Sequence, residues 1–133
     1  MKQHVTLTIT SLLSIVLFTF HFADDIVRGF EQGDVSDYTG VLLVAIWLYA
    51  TLALAGRRAG FVIILLFSIG AAAMPLIHMR GGGLVGGRIA GSSGVFFWVW
   101  THIALGATGL VSTALSAQAL WRLRGRRSRS GSS

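Results

Sequence analysis

Residues 39–77 read TGVLLVAIWLYATLALAGRRAGFVIILLFSIGAAAMPLI, and the only charged side chains among them are Arg57 and Arg58. Two apolar runs of 18 residues, 39–56 and 60–77, flank these arginines. A helix needs about 20 residues to cross roughly 30 Å of hydrocarbon. Backbone groups in lipid must be paired within the segment, so both runs are predicted as helices. The short segment RRA between them predicts a tight turn and an antiparallel helical hairpin.

Two further runs, residues 5–22 and 95–121, also contain no Lys, Arg, Asp or Glu. The sequence therefore predicts an all-α fold, a four-transmembrane-helix bundle with up-down-up-down connectivity. Residues 1–121 form the four-span membrane domain. Residues 122–133, RLRGRRSRSGSS, are predicted to form a disordered basic tail.

The composition points the same way. Hydrophobic residues make up 53% of the chain and charged residues 12%, against about 25% charged in soluble domains. The chain has no cysteine, which excludes disulfides, zinc–thiolate sites, iron–sulfur clusters and covalently attached c-type haem. The glycine-rich segment 79–94 matches no phosphate-binding loop and is interpreted as a flexible connection.

The basic residues predict an orientation, because Lys and Arg concentrate on the cytoplasmic side of a membrane. With four spans, eight basic residues fall on the side of the termini and three on the opposite side. Both termini are therefore expected in the cytoplasm, as in a multi-pass protein of a bacterial inner membrane. The tail is expected to lie on anionic lipid headgroups. This topology accounts for the net charge of +6, so a nucleic-acid partner is not favoured.

Ionisable residues cluster at the end of the first run, where residues 21–29 read HFADDIVRG. His21 lies three residues before Asp24 and four before Asp25, so either carboxylate can accept a hydrogen bond from its ring on a helix. Arg28 is expected to balance this charge, together with Arg80 from the second outer loop. These residues give the first helix a polar outer end.

Small and hydroxyl residues also share one face of the first helix and one face of the fourth. Such residues let helices approach closely in lipid. We therefore predict that helices one and four pack together through these faces. The packing residues are Thr6, Thr10, Ser14, Gly106, Gly109 and Thr113.

Three histidines are expected at similar depth on three different helices. His21 and His78 end the two outward-running spans, and His102 lies seven residues into the fourth span, about 10 Å deep at 1.5 Å per residue. Together with Asp25 they form the candidate site, with Asp24, Arg28 and Arg80 in support. Three imidazoles and a carboxylate suit a transition metal, and histidines in membranes also carry protons.

The leading interpretation is an outward-facing His/Asp pocket that binds a transition metal or carries protons. One alternative is a structural or accessory subunit that docks on a larger membrane complex or on copies of itself, without a cofactor. Another is a b-type haem module with His21 and His78 as axial ligands. Proton transfer by the histidines would require neither a metal ion nor haem. No residue pattern marks a substrate pocket, so the sequence does not decide whether the protein is an enzyme.

Overall fold

The computed structural model describes residues 2–27, 35–80 and 94–130, and side chains within them at positions 2–27, 38–77, 94 and 96–125. These residues form four helices and no strand: α1 Lys2–Val27, α2 Val35–Leu52, α3 Arg58–Arg80 and α4 Val95–Ser130. The predicted all-α fold class is confirmed. α4 continues past the predicted end of the span, so that residues 122–130 of the predicted disordered tail are helical.

Three stretches within the described residues are long and apolar enough to cross a membrane: Lys2–Val27, Arg58–Ile77 and Phe96–Gly125. The second predicted span is shorter than expected, because the apolar part of its helix is Tyr38–Leu52. The whole of α2, with 18 residues, is about 27 Å long at 1.5 Å per residue.

The turn between α2 and α3 lies earlier in the chain than the sequence predicted. α2 ends at Leu52, and the amide of Arg57 donates to the carbonyl of Leu54 at 3.0 Å within the turn. Gly56 has a φ of 77°, a left-handed conformation that glycine adopts without steric cost. The turn therefore occupies residues 53–57 rather than the segment RRA, and Arg58 already begins α3.

Burial in this fold differs from that of a soluble domain. Among the described side chains, ten polar or charged residues are buried, as many as the buried apolar residues. Large apolar side chains instead cover the outside of all four helices. Examples with exposed side chains are Val16, Phe20, Leu48, Leu66, Ile103 and Leu110. An apolar exterior around a partly polar interior is the arrangement expected of helices that face lipid.

Trp47 on α2 forms the centre of the aromatic core. Its ring stacks on Phe67 of α3, with centroids 5.3 Å apart, and meets Phe18 of α1 edge-on at 6.4 Å. Its Nε1–H donates to the hydroxyl of Ser11 at 2.9 Å, and the Ser11 and Thr51 hydroxyls lie 2.8 Å apart. Trp47 thereby connects three helices through both apolar and polar contacts.

Gly106 and Gly109 of α4 face α3, which corrects the prediction that they pack on α1. A Cβ at Gly109 would lie 2.7 Å from the Ala72 amide nitrogen and 2.9 Å from the Ser68 carbonyl oxygen. A Cβ at Gly106 would lie 2.7 Å from Cγ of Pro75. The sequence pattern identified a close-packing face, but a face alone does not say which neighbouring helix covers it.

Hydroxyl groups, rather than glycines, join α1 to α4. Ser14 donates to Thr108 at 2.9 Å, and Ser112 donates to Thr10 at 2.9 Å. We call these four residues the hydroxyl seam.

The two remaining predicted packing residues behave differently. Thr6 is exposed and its hydroxyl bonds to the Lys2 carbonyl of its own helix, so it takes no part in helix packing. Thr113 is partly buried, and its hydroxyl has no hydrogen-bond partner among the described residues.

Candidate functional site

His21 and Asp25 form a buried pair on one face of α1. Continuation of the helix to Val27 gives the two residues the i, i+4 relation that their spacing predicted. His21 Nε2 lies 3.3 Å from Asp25 Oδ2, and the side chains are 3% and 11% exposed. A carboxylate in this position accepts the Nε2 proton, which leaves the lone pair of the neutral ring on Nδ1.

His102 contributes a second imidazole from α4. Its ring is fully buried, and Nδ1 lies 2.7 Å from the carbonyl oxygen of Trp98, one turn earlier. A carbonyl oxygen only accepts hydrogen bonds, so in the neutral ring Nδ1 carries the proton and Nε2 the lone pair. The backbone of α4 therefore fixes the tautomer of His102, as the Asp25 carboxylate fixes that of His21.

The two histidine rings are in direct contact. Their centroids are 4.2 Å apart, with an interplanar angle of 68°. We refer to these three residues as the His21–Asp25–His102 cluster. Two histidines that the sequence placed on different helices at similar depth therefore belong to one cluster.

Trp98 packs against the cluster, although the candidate site predicted from the sequence did not include it. Its ring centroid lies 4.0 Å from that of His102, and the residue is 2% exposed. The other two tryptophans of α4 have a different environment. Trp100 and Trp121 are exposed, at 57% and 81%. The four-residue spacing to His102 was the available signal, because residues at i and i+4 share a helix face.

Several predicted members of the site cannot be placed around the cluster. Arg28 lies outside the described residues, as do the side chains of His78 and Arg80, although both belong to α3. Asp24 lies beside the cluster in sequence and is partly exposed. The proposed meeting of three histidines is thus observed for two of them.

The described residues do not support a metal centre. They contain no group of three or more His, Cys, Asp or Glu arranged to hold a metal ion. Two imidazoles bound to one ion have centroids about 5–6 Å apart, in tetrahedral or opposite positions respectively, because metal–nitrogen bonds measure about 2.0–2.1 Å. The 4.2 Å contact between the rings of His21 and His102 is too short for either arrangement. The haem hypothesis paired His21 with His78 instead, and that side chain lies outside the described residues.

The chemistry that this arrangement supports is proton binding. A buried carboxylate is costly without a positive partner in a medium of low dielectric constant. An imidazolium at His21 supplies that partner at 3.3 Å. The basic nitrogen of His102 belongs to the adjoining ring, so the cluster offers two neighbouring acceptors for one proton.

Exposure decreases along the cluster from Asp25 through His21 to His102, at 11%, 3% and 0%. The carboxylate therefore has the most exposed surface of the three side chains, and the second imidazole has none. Comparison of the chain with models of known protein families, with curated proteins and with solved structures gave no match.

Proposed function

We propose that this chain is a multi-pass membrane protein that takes up and releases one proton at the His21–Asp25–His102 cluster. The contact between the rings of His21 and His102, with Asp25 bonded to the first, is the observation that carries the proposal. Ionisable side chains buried among membrane-spanning helices are rare and mark proton or ion pathways.

The proposed membrane arrangement has four helices that alternate in direction, with both termini on the cytoplasmic side. Contacts between opposite ends of neighbouring helices support it. Gln3, near the start of α1, bonds to Gln118 in the last part of α4, whereas His21 near the end of α1 meets His102 near the start of α4. The apolar exterior and the uneven distribution of basic residues support it further.

Charge balance favours one added proton on the cluster, so that one of the two imidazoles is charged and the other is neutral. One carboxylate balances one imidazolium, and a second imidazolium at a ring separation of 4.2 Å would be repelled by the first. Residues 38–52 of α2 and 59–77 of α3 contain no Lys, Arg, Asp or Glu, whereas Asp37 and Arg58 lie in the first turns of these two helices. His78 and Arg80 follow at the end of α3, Asp24 lies between the two residues of the pair on α1, and Arg28 lies three residues after Asp25.

The proposal is tested by following the ring nitrogens of the histidines by ¹⁵N NMR during a pH titration of the protein in lipid nanodiscs. We expect His21 and His102 to titrate together and to share one proton. Asp25→Asn should change the titration of both rings. Asp24→Asn removes a neighbouring, partly exposed carboxylate and should change the titration of both rings less than Asp25→Asn does. His4→Gln, at an exposed position on the same helix, should have no effect.

Three outcomes would overturn the proposal. The first is that His21 and His102 titrate independently of each other and of Asp25. The second is stoichiometric metal in elemental analysis, and the third is a Soret band from bound haem. If in addition the protein co-purified with a larger membrane complex, the accessory-subunit hypothesis would replace it. His102→Gln retains a hydrogen-bonding side chain and gives a second test should Asp25→Asn fail to fold.

A further inference from the structure

We infer that the His21–Asp25–His102 cluster exchanges its proton only with the side of the membrane at the end of α1, because Phe18 and Leu105 block the route to the other side. We call these two residues the apolar barrier. The inference rests on the proposed function and adds a direction of access to it. It predicts a protein that binds protons without conducting them.

Polar side chains continue between α1 and α4 on the far side of the apolar barrier. The hydroxyl seam provides two hydrogen-bonded crossings, Ser14 to Thr108 and Thr10 to Ser112, each at 2.9 Å. Further along, Gln3 bonds to Gln118 and accepts a hydrogen bond from Arg122. The α1–α4 interface therefore carries groups able to bond water or pass a proton along most of its length.

The apolar barrier interrupts this series between the cluster and the hydroxyl seam. Leu105 is fully buried and lies three residues after His102 and three before Thr108, on the same side of α4. On α1, Phe18 lies between Ser14 and His21, and its ring centroid is 6.5 Å from that of His21. Leu105 belongs to the buried apolar core, and Phe18 is partly buried and packs against that core.

The length of the interruption excludes direct proton transfer across it. Ser14 and His21 are seven residues apart, about 10 Å along a helix that rises 1.5 Å per residue. A hydrogen bond spans about 3 Å, so a proton would need bridging water between these side chains. Buried water requires polar partners, and packed apolar side chains exclude it.

Access from the other direction follows the exposure of the cluster itself. The Asp25 side chain is 11% exposed near the end of α1, whereas His21 is 3% and His102 0% exposed. A proton from that end reaches the carboxylate first and His102 last. The fully buried His102 is thus the innermost proton-binding group on a route that opens at one end only.

The test uses the full chain in liposomes that contain a pH-sensitive dye, with proton flux driven by an imposed potassium diffusion potential. The wild type should give no more flux than His21→Gln. Leu105→Ser introduces a hydroxyl into the apolar barrier and should raise the flux about tenfold by admitting water. Adding His21→Gln to Leu105→Ser should abolish the increase. Leu110→Ser is the matched control, because Leu110 is 63% exposed on the same helix.

Two results would overturn the inference: wild-type flux as high as that of Leu105→Ser, or flux in Leu105→Ser that persists without His21. Should Leu105→Ser fail to fold, Phe18→Ser opens the opposite wall and must give the same increase. If neither barrier variant raises the flux while the histidine titration is intact, the role given to Leu105 and Phe18 is wrong and the proposed function still stands. Loss of the shared titration in the wild type contradicts the proposed function as well.

Discussion

Ser11 shows how a single hydroxyl on α1 can satisfy two polar groups of α2 at once. Thr51 donates its one proton to the Trp47 carbonyl at 2.9 Å, so in the 2.8 Å contact between the two hydroxyls Ser11 is the donor. Ser11 in turn accepts from Trp47 Nε1–H. The three residues form a closed circuit, in which each hydroxyl donates once and accepts once.

This circuit makes Ser11→Ala a costly substitution although it removes one oxygen atom. The indole N–H loses its acceptor and Thr51 loses a donor, and both side chains are buried. We expect the free energy of unfolding to fall by about 1–2 kcal/mol. Reversible unfolding in mixed micelles with increasing SDS measures the change.

Ser68→Ala provides the matched comparison at a buried serine. Ser68 is 0% exposed like Ser11, but its hydroxyl has no hydrogen-bond partner among the described residues. Its removal should alter the free energy of unfolding by less than about 0.5 kcal/mol. Equal losses in the two variants would show that burial, rather than the circuit, sets the cost.

Residue positions were predictable from the sequence where one helix alone determines them. The spacing of His21 and Asp25 fixes their relation on α1, and the structure shows that contact. Burial of Trp98 against His102 was missed, because it depends on how α4 is rotated towards its neighbours. A hydrophobic pattern carries little information about that rotation when lipid and protein interior are both apolar.

At the scale of whole elements, glycines on α4 explain why α3 and α4 pack closely. Gly109 brings the two backbones together, since a Cβ there would meet the amide of Ala72 and the carbonyl of Ser68. Pro75 lies inside α3 and packs on Gly106. Gly106 is one helical turn after His102 on α4. The same glycine face therefore also sets the position of the histidine-bearing turn against α3.

Gly109→Ala should consequently destabilise the bundle. Backbone atoms at 2.7 and 2.9 Å from the added Cβ cannot rotate away, so the two helices must separate. We expect a loss of about 1–3 kcal/mol in the free energy of unfolding. SDS unfolding measures this loss, and the His102 ring signals should shift with it.

Gly70→Ala is the control on α3. A Cβ at this exposed helical glycine meets nothing within 4 Å. The substitution should be neutral or stabilise the protein by up to about 1 kcal/mol, because alanine favours the helix. A comparable loss in both variants would argue against close packing at Gly109.

Element boundaries were less predictable than element type. The apolar run 39–56 gave the correct helix but not its end, since Ala53 to Gly56 are as apolar in the turn as in a helix. Similarly, the arginine-rich residues after Trp121 were interpreted as disordered, yet arginine has a high intrinsic helix propensity and α4 continues through them. Apolar composition records what faces lipid, whereas glycine geometry and helix propensity decide where helices end.

At the scale of the whole molecule, the amino-acid composition predicted most of the fold. A chain with 12% charged residues cannot cover its surface with charge, and the structure accordingly shows apolar side chains outside and serine, threonine and histidine inside. The relation of the helices to a membrane is a separate matter. Three helices are long and apolar enough to cross one, and α2 has a shorter apolar stretch.

The number of crossings can be measured, because the chain has no native cysteine. Single cysteines at Lys2→Cys, Ser92→Cys and Ser132→Cys can be probed with a membrane-impermeant maleimide in intact cells. Four crossings predict that Ser92→Cys is labelled from outside and the other two only after permeabilisation. The physical reason is that Lys and Arg concentrate at the two ends that must then remain in the cytoplasm.

If α2 does not cross, α1, α3 and α4 make three crossings, and Lys2→Cys and Ser132→Cys are labelled from opposite sides. That result would reject four crossings even though the helices themselves are unchanged. It would also bear on proton access, since the direction of α1 decides which compartment Asp25 faces. The same labelling therefore establishes both the path of the chain across the membrane and the side from which the His21–Asp25–His102 cluster takes its proton.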